Sequence, residues 1–300
     1  MEKDFTLMDD LAIIILNYNS FEDTQREVNS LLNEGISQQS IYVVDNHSKD
    51  RKEIEQLGSQ KQINYILSDY NGGYAFGNNL AIKKAIEDGR NYFLLLNPDI
   101  EISRSTIGQL YNDLKEFPDI GIIGPRICYR NIRDRIFSDG GLLFPEEGFQ
   151  GGHTHSEQDK NHVNAPHYNY NIKYVDGSAL MFRKEILDDV GLMNTSFFMY
   201  YEESEWCLRL LKNTQWKIAV NTQCEAFNLA SDKGSFYEYY ITRNRIWMCR
   251  LYDGNLKYVT KERWKFARKA LKKRKFSMAK AYIKGILDGL YSNLDKIKNE

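Results

Sequence analysis

The stretch LAIIILNYNS, residues 11–20, decides the fold. Six apolar residues in a row, three of them isoleucine, break abruptly into Asn17, Tyr18, Asn19 and Ser20. A run of that length, too short for a helix and bounded by turn formers, reads as a strand buried on both faces. Ser20 is placed to cap a helix running to about residue 32. Outward from this unit the pattern repeats. Residues 41–45 form a second strand ending in Asp45-Asn46-His47-Ser48, and residues 63–67 a third that leads to Asn71-Gly72-Gly73. A helix over 74–88 precedes a fourth strand, 92–96, which ends in Asn97-Pro98-Asp99, and Ser103 opens a helix over 103–117. Strands of four to seven residues alternating with helices predict an α/β fold, a mainly parallel sheet covered on both sides. In such sheets ligands bind at the carboxyl ends of the strands, so four successive polar strand ends predict a crevice there.

The common phosphate-binding fingerprints are missing. There is no G-x-x-x-x-G-K-[ST], and Gly72, Gly73 and Gly77 do not fit G-x-G-x-x-G, which excludes a P-loop enzyme and a standard dinucleotide fold. The ordered set IIILNYNS (13–20), VVDNHSKD (43–50), NGGYAFGNNLAI (71–82), LLLNPDIEI (94–102), VDGSALMFRKEIL (175–187) and FFMYYEESEWCLRL (197–210) instead resembles glycosyltransferase family 2. These are inverting enzymes of GT-A fold, and the likeness is greatest to bacterial rhamnosyltransferase-like members that build surface polysaccharide. The resemblance implies a Rossmann-like GT-A domain over 8–252, with a mixed, mainly parallel sheet flanked by helices. The remaining residues, 253–300, read as a C-terminal basic helical extension.

The family's site carries over residue by residue. Asp99, in Asn97-Pro98-Asp99, stands where the family has a D-x-D-like element and is the expected ligand for Mg2+ or Mn2+. Asn97 replaces a carboxylate and is expected on a ribose or phosphate oxygen. Asp45 or Asn46 would meet the edge of the base and Tyr18 would stack on it, while Asn71, Gly73 and Asn78 resemble the donor-contacting segment. In Tyr200-Tyr201-Glu202-Glu203-Ser204-Glu205, Glu203 stands where the family has its catalytic Asp and is the expected general base. The flanking Phe197, Phe198 and Trp206 would raise its pKa. Asn228 occupies the place of a metal-completing His, which puts metal dependence in question, and Arg243 could face the diphosphate or solvent. These features imply an inverting transfer of rhamnose or another hexose or deoxyhexose from a nucleoside-diphosphate donor to a glycan hydroxyl. The rival reading is a non-catalytic nucleotide-sugar-binding subunit of a polysaccharide assembly complex.

Composition refines the picture. The formal net charge of −1 hides a basic segment, residues 257–284, with twelve Lys or Arg against one acid, a local +11 that leaves −12 elsewhere. Trp264, Ala267, Leu271, Met278, Tyr282 and Ile286 recur at helical spacing, predicting one or two helices over about 261–290, a basic amphipathic pattern suited to an anionic membrane surface. An acidic body without a nucleic-acid motif argues against nucleic acid as the partner. The first ten residues hold four acids and no apolar core of a secretory signal, and four scattered cysteines suggest neither disulfides nor zinc. The expected location is therefore the cytoplasm, peripheral on the inner face of the membrane, with a lipid-linked glycan as acceptor. Residues 130–174, rich in Gly, Asn and His, read as a mobile acceptor-side loop, and the chain's twenty tyrosines read as compositional bias.

Overall fold

The computed structural model describes residues 8–229, 233–294 and 297. The opening apolar run is β1 (Leu11–Asn17), and the units after it are α1 (Phe21–Asn33), β2 (Ile41–Asp45), α2 (Arg51–Lys61), β3 (Asn64–Leu67), α3 (Gly73–Glu87) and β4 (Tyr92–Leu96). Strands β3, β2, β1 and β4 lie side by side and parallel, with Asn17 opposite Asp45, Asp45 opposite Leu67 and Ile15 opposite Leu96. Their polar ends therefore share one edge. The alternation of side chains divides β1 between two cores: Ala12 and Ile14 point to one face, Leu11, Ile13 and Ile15 to the other.

Beyond β4 the chain adds β5 (Glu101–Ile102), α4 (Arg104–Glu116) and β6 (Ile120–Tyr129), then β7 (Ile136–Ser138), β8 (Gly141–Phe144), β9 (Gln150–His153) and β10 (Tyr168–Asn169). There follow β11 (Ala179–Arg183), α5 (Ile186–Val190), α6 (Glu202–Asn213), β12 (Lys217–Asn228), α7 (Ser235–Tyr252), α8 (Leu256–Lys272) and α9 (Phe276–Tyr291). The sheet is mixed because β11 inserts antiparallel between β4 and β6, giving the order β10-β12-β6-β11-β4-β1-β2-β3. Phe93 of β4 stacks on Phe182 of β11 with centroids 4.9 Å apart, and Phe182 meets Trp206 of α6 edge-on at 4.9 Å. That aromatic ladder fixes α6, and with it the acidic motif, over the sheet.

Two capping expectations separate. Ser103 accepts from Thr106 N and caps α4. Ser20 makes no such bond: its hydroxyl donates to Tyr18 O, while Asp50 accepts from Phe21 N at 3.0 Å and takes over the start of α1. A carboxylate at a helix N-terminus is the stronger partner.

The insert is organised rather than loose. Asp139 is fully buried and accepts two hydrogen bonds from Arg126, Nε and Nη2, both at 2.7 Å, while His155 Nδ1 lies 2.7 Å from the same carboxylate. Its backbone oxygen accepts from Thr154 Oγ1 and Asn169 Nδ2. One buried ion pair thus joins β6 to the segment that carries the β8–β9 hairpin.

The apolar stripe of the basic segment does not lie on one face. A turn at 273–275 splits it between α8 and α9, which pack on each other and on α7. Ala267, Tyr282 and Ile286 point inward, and Gly285 and Gly289 let α9 approach Thr242 and Ile246 of α7. Trp264 and Leu271 face outward. No helix among the described residues is long and apolar enough to cross a membrane.

Candidate active site

Asn17 organises the strand-end crevice. It is fully buried; its Nδ2 reaches Asp45 Oδ1 (3.1 Å), Ser48 Oγ (3.0 Å) and Asp50 Oδ1 (3.1 Å), and its Oδ1 accepts from Ser20 N and Thr24 Oγ1. Asp45 is buried too, with Oδ2 accepting from Ser48 N at 3.1 Å. Tyr18, by contrast, stands half-exposed at the mouth. Sequence reading placed Asp45 and Tyr18 here but missed Asn17, because the asparagine that ends a strand looks like any turn former until its partners, some thirty residues on, fold beside it.

Asn46 holds the glycine loop instead of projecting into the crevice. Its Nδ2 donates to Asn71 Oδ1 (2.9 Å) and Gly73 O (3.0 Å), and its Oδ1 accepts from Gly72 N (3.3 Å). Both N–H donors of the amide are used within the protein, and the side chain is buried, as is that of Asp45. Asn71 likewise accepts from Gly73 N, and the buried Asn78 donates to Tyr74 O within α3. These three side chains make a wall of the glycine loop and the first turn of α3, and they are committed to it.

Gly73 serves a close approach. Its φ is +88°, and a Cβ there would collide with the carbonyl of Phe198, which accepts from Tyr74 N at 2.7 Å. The wall thereby touches the loop that delivers the acidic motif. That loop has three left-handed residues, Phe198 (φ 65°), Tyr200 (66°) and Tyr201 (73°), a conformation costing on the order of 1–3 kcal/mol each in non-glycine residues. Asn244 of α7, fully buried, supports it by donating to Phe197 O, Met199 O and Tyr200 O. Arg243 bonds Ser196 O and Phe197 O and lies over the rings of Tyr240 and Trp247. It braces the loop rather than facing a diphosphate or bulk solvent.

Glu203 opens α6 beneath that loop. A side chain at Gly177 would touch Glu203 Cγ (3.3 Å) and Tyr74 Oη (3.5 Å), so the glycine leaves room beside the Glu203 side chain. The neighbouring Ser178 O accepts from Asn97 N at 2.9 Å, which ties Glu203 to the end of β4. Burial pushes the Glu203 carboxyl up to about 7, with the nearby Asp176 adding to the rise and Ser204 Oγ, at 3.0 Å, opposing it. This is the direction the flanking aromatics imply. Glu202 is buried deeper, with Oε2 unpartnered, and its carboxyl is pushed well above the usual range by burial and by Glu203. Tyrosines gather here: the acidity of Tyr74 and Tyr174 is suppressed by burial and by Glu203, as is that of Tyr201. Their clustering is structural, and composition alone concealed it.

Asp99 lies at the other end of the crevice. Its carboxyl is half-buried and raised by desolvation, and its backbone oxygen accepts from Arg130, whose Nε lies 3.1 Å from Glu101 Oε1. Phe227 pairs with Glu101, which brings the next residue, Asn228, alongside this strand end, and its buried Oδ1 has no partner. Among the described residues no three His, Cys, Asp or Glu side chains form a metal cage. One carboxylate and one orphaned amide oxygen fit a hard cation that takes most of its oxygens from a diphosphate and water.

The chain matches known proteins. Residues 12–191 match Glycosyl transferase family 2. The low-salt glycan biosynthesis hexosyltransferase Agl10 of Haloferax volcanii is 35% identical over 211 residues, 68% of this chain and 62% of its own length. The dTDP-rhamnosyl transferase RfbF of Shigella flexneri is 25% identical over 202 residues, 66% of this chain and 62% of its own. The matches thus span less than two thirds of either relative. Mannosyltransferase PcManGT from Pyrobaculum calidifontis, solved with GDP-Man and Mn2+, aligns with a TM-score of 0.57 at 11% identity, covering 94% of this chain and 87% of that one. GalNAc-T7, solved with UDP, GalNAc and Mn2+, gives 0.60 at 12% identity, covering 96% and 56%. At those identities the likeness establishes the fold, GT-A. Family match, 35% relative and fold agree with the ordered motifs, and the chain belongs to glycosyl transferase family 2.

Proposed function

We propose that this protein is an inverting glycosyltransferase. It moves rhamnose or another hexose or deoxyhexose from a nucleoside-diphosphate donor to a hydroxyl of a lipid-linked glycan in cell-surface polysaccharide synthesis, such as O-antigen or capsule. The observation that carries this reading is Glu203: a part-buried carboxylate with its pKa near 7, given room by Gly177 at the end of a strand-edge crevice. A base of that pKa is half-ionised at neutral pH and takes the acceptor's hydroxyl proton as the hydroxyl oxygen bonds the anomeric carbon. The bond from that carbon to the diphosphate breaks on the opposite face, and the electron pair leaves with the nucleoside diphosphate. A divalent cation, Mg2+ or Mn2+, bound by Asp99 and Asn228 Oδ1 would offset the charge of that leaving group. Tyr18 offers its ring to the base, the Asp45 carboxylate is held in place beside it by Asn17 and Ser48, and Asn97 lies where a donor phosphate or ribose reaches the end of β4.

A thermal-shift screen over UDP-, dTDP- and GDP-sugars with Mg2+ or Mn2+ tests the donor and cation together, since a ligand that binds only the folded state stabilises it by mass action. One donor should raise the melting temperature, more with metal than with EDTA, and Asp99→Ala should remove the metal-dependent part. Donor binding indifferent to metal, without turnover, supports the binding-subunit reading instead.

We also propose that the enzyme works at the inner face of the cytoplasmic membrane through the α8–α9 turn. Residues 271–277 are all exposed, with Leu271 and Phe276 flanking Lys272, Lys273, Arg274 and Lys275. Two apolar side chains among four cations suit an anionic leaflet. Phosphatidylglycerol-containing vesicles should sediment the protein, less so at high salt, and the Leu271→Ser/Phe276→Ser variant should bind at least about tenfold more weakly, given about 1.5–3 kcal/mol per buried apolar side chain. Equal binding by both proteins, or equal binding to neutral vesicles, contradicts this. Point variants are preferable to truncation, because Gly285 and Gly289 of α9 are packed against α7.

A further inference from the structure

The insert brings one imidazole near the carboxylates of Asp176 and Glu203. His153 ends β9; its ring meets Tyr174 edge-on with centroids 6.1 Å apart and lies tilted against Phe137 at 4.8 Å, so two aromatic walls fix its plane. Its Nδ1 is buried and has no hydrogen-bond partner in the protein. Burial pushes its pKa below the ordinary histidine range, with Lys233 adding to the fall and Asp176 opposing it. The same Asp176 acts on Glu203, and its Oδ1 is anchored by Ser178 N (3.0 Å) and Ser178 Oγ (2.5 Å). His153 meets Tyr174 and Glu203 packs against Gly177, the residues two before and one after Asp176, so the three side chains are neighbours.

The surroundings of these side chains are built as well. Tyr201 Oη donates to Phe149 O at 2.6 Å and Tyr174 Oη to Gly152 O at 3.3 Å, pinning the β8–β9 hairpin to the residue before the acidic motif. Gly151, exposed, carries no side chain above these two hydroxyls, which lie 3.6 and 3.7 Å from where its Cβ would be. An imidazole, two carboxylates and aromatic faces are the groups that bind a polyhydroxylated ring, and the carboxylates of Asp176 and Glu203 outnumber Lys233, the cation that acts on His153, so an anion is disfavoured there.

We propose that His153 is an acceptor-binding residue, its free Nδ1 bonded to a hydroxyl of an uncharged acceptor sugar laid along the edge of the β8–β9 hairpin. This rests on the glycosyl-transfer reading above and assigns the acceptor side of the same site.

The test uses the full chain, with octyl glycosides of glucose, galactose, mannose, N-acetylglucosamine and glucuronic acid as acceptor probes. Binding is followed by saturation-transfer NMR in the presence of the nucleotide-sugar that gives the largest thermal shift, and the affinity for that donor by calorimetry. At least one neutral glycoside should bind, the glucuronide at least tenfold more weakly. His153→Ala should weaken the neutral glycoside at least tenfold while changing donor affinity less than twofold, and His153→Asn should recover part of the loss. Unchanged glycoside affinity in His153→Ala, or donor affinity falling in step in both variants, overturns the proposal. A wild-type protein that binds donor but no glycoside overturns the subsite alone, and one that binds no donor overturns the reading beneath it as well.

Discussion

Glu203→Gln is expected to lower the rate of sugar transfer by about 10²–10⁴-fold, the range a positioned general base supplies, and at the same time to make the protein more stable at pH 8. The two effects have one cause. The folded carboxyl titrates at about 7 and the unfolded one at 4.5, so the contribution of Glu203 to stability is fully present below pH 4.5 and is lost as pH rises through 7. Above that, holding the ionised carboxylate in its part-buried pocket costs about 3 kcal/mol, which the amide avoids. Urea unfolding of both proteins at pH 5 and pH 8 should show the variant's advantage at pH 8 shrinking at pH 5. The wild-type kcat/KM should climb with pH through about 7, and the residual activity of the variant should not. A variant less stable than wild type at pH 8, or one with near-normal turnover, contradicts the assignment. The penalty at Glu203, with the left-handed residues just before it, is the kind of stability cost that active sites carry.

The second large effect lies outside the chemistry. Asp139→Ala should cost about 3–5 kcal/mol, because it leaves the buried guanidinium of Arg126 without its partner. The double change Arg126→Met/Asp139→Leu removes both charges and should recover much of that loss, since breaking a buried pair costs more than replacing it with apolar groups. Urea midpoints of the three proteins provide the comparison, and a loss under about 1 kcal/mol in the single variant would mean the pair is not what holds the insert. Because the β8–β9 hairpin hangs from this network, the damage should also reach the acceptor side of the site.

What was legible in the sequence was local. Short apolar runs ending in Asn, Asp or Gly were enough to place β1 to β4, and parallel pairing then brought their ends together without further information. Glu203 and Asp99 could be singled out because they sit inside motifs with a fixed order along the chain. The relations that were not legible are long-range ones. Asn46 faces Asn71 and Gly73 only because β2 folds against the loop before α3, so its amide looked available for a base when both its donors are in use. Gly73 looked like a residue that lets a ligand approach, whereas the closest group is the backbone of Phe198, 125 residues away in sequence. Ser20 lost its capping role to Asp50, a competitor thirty residues on that no local rule weighs. Asp176 and His153 were given no place in the site for the same reason, since each is ordinary until β9 and the segment before β11 are brought beside α6. In the basic segment the helical spacing was legible, but the turn at 273–275 that divides its apolar residues between two helices was not.

The central claim is single-displacement transfer with Glu203 as base, and the stereochemistry of the product tests it most directly. An NMR time course with the nucleotide-sugar selected by thermal shift, an octyl glycoside that binds, and Mg2+ or Mn2+ reads the anomeric configuration of the first product formed. The account predicts a glycosidic bond of configuration opposite to that of the donor, formed by the wild-type protein and at most in traces by Glu203→Gln. A product that keeps the donor's configuration, or one formed equally fast by the variant, contradicts it.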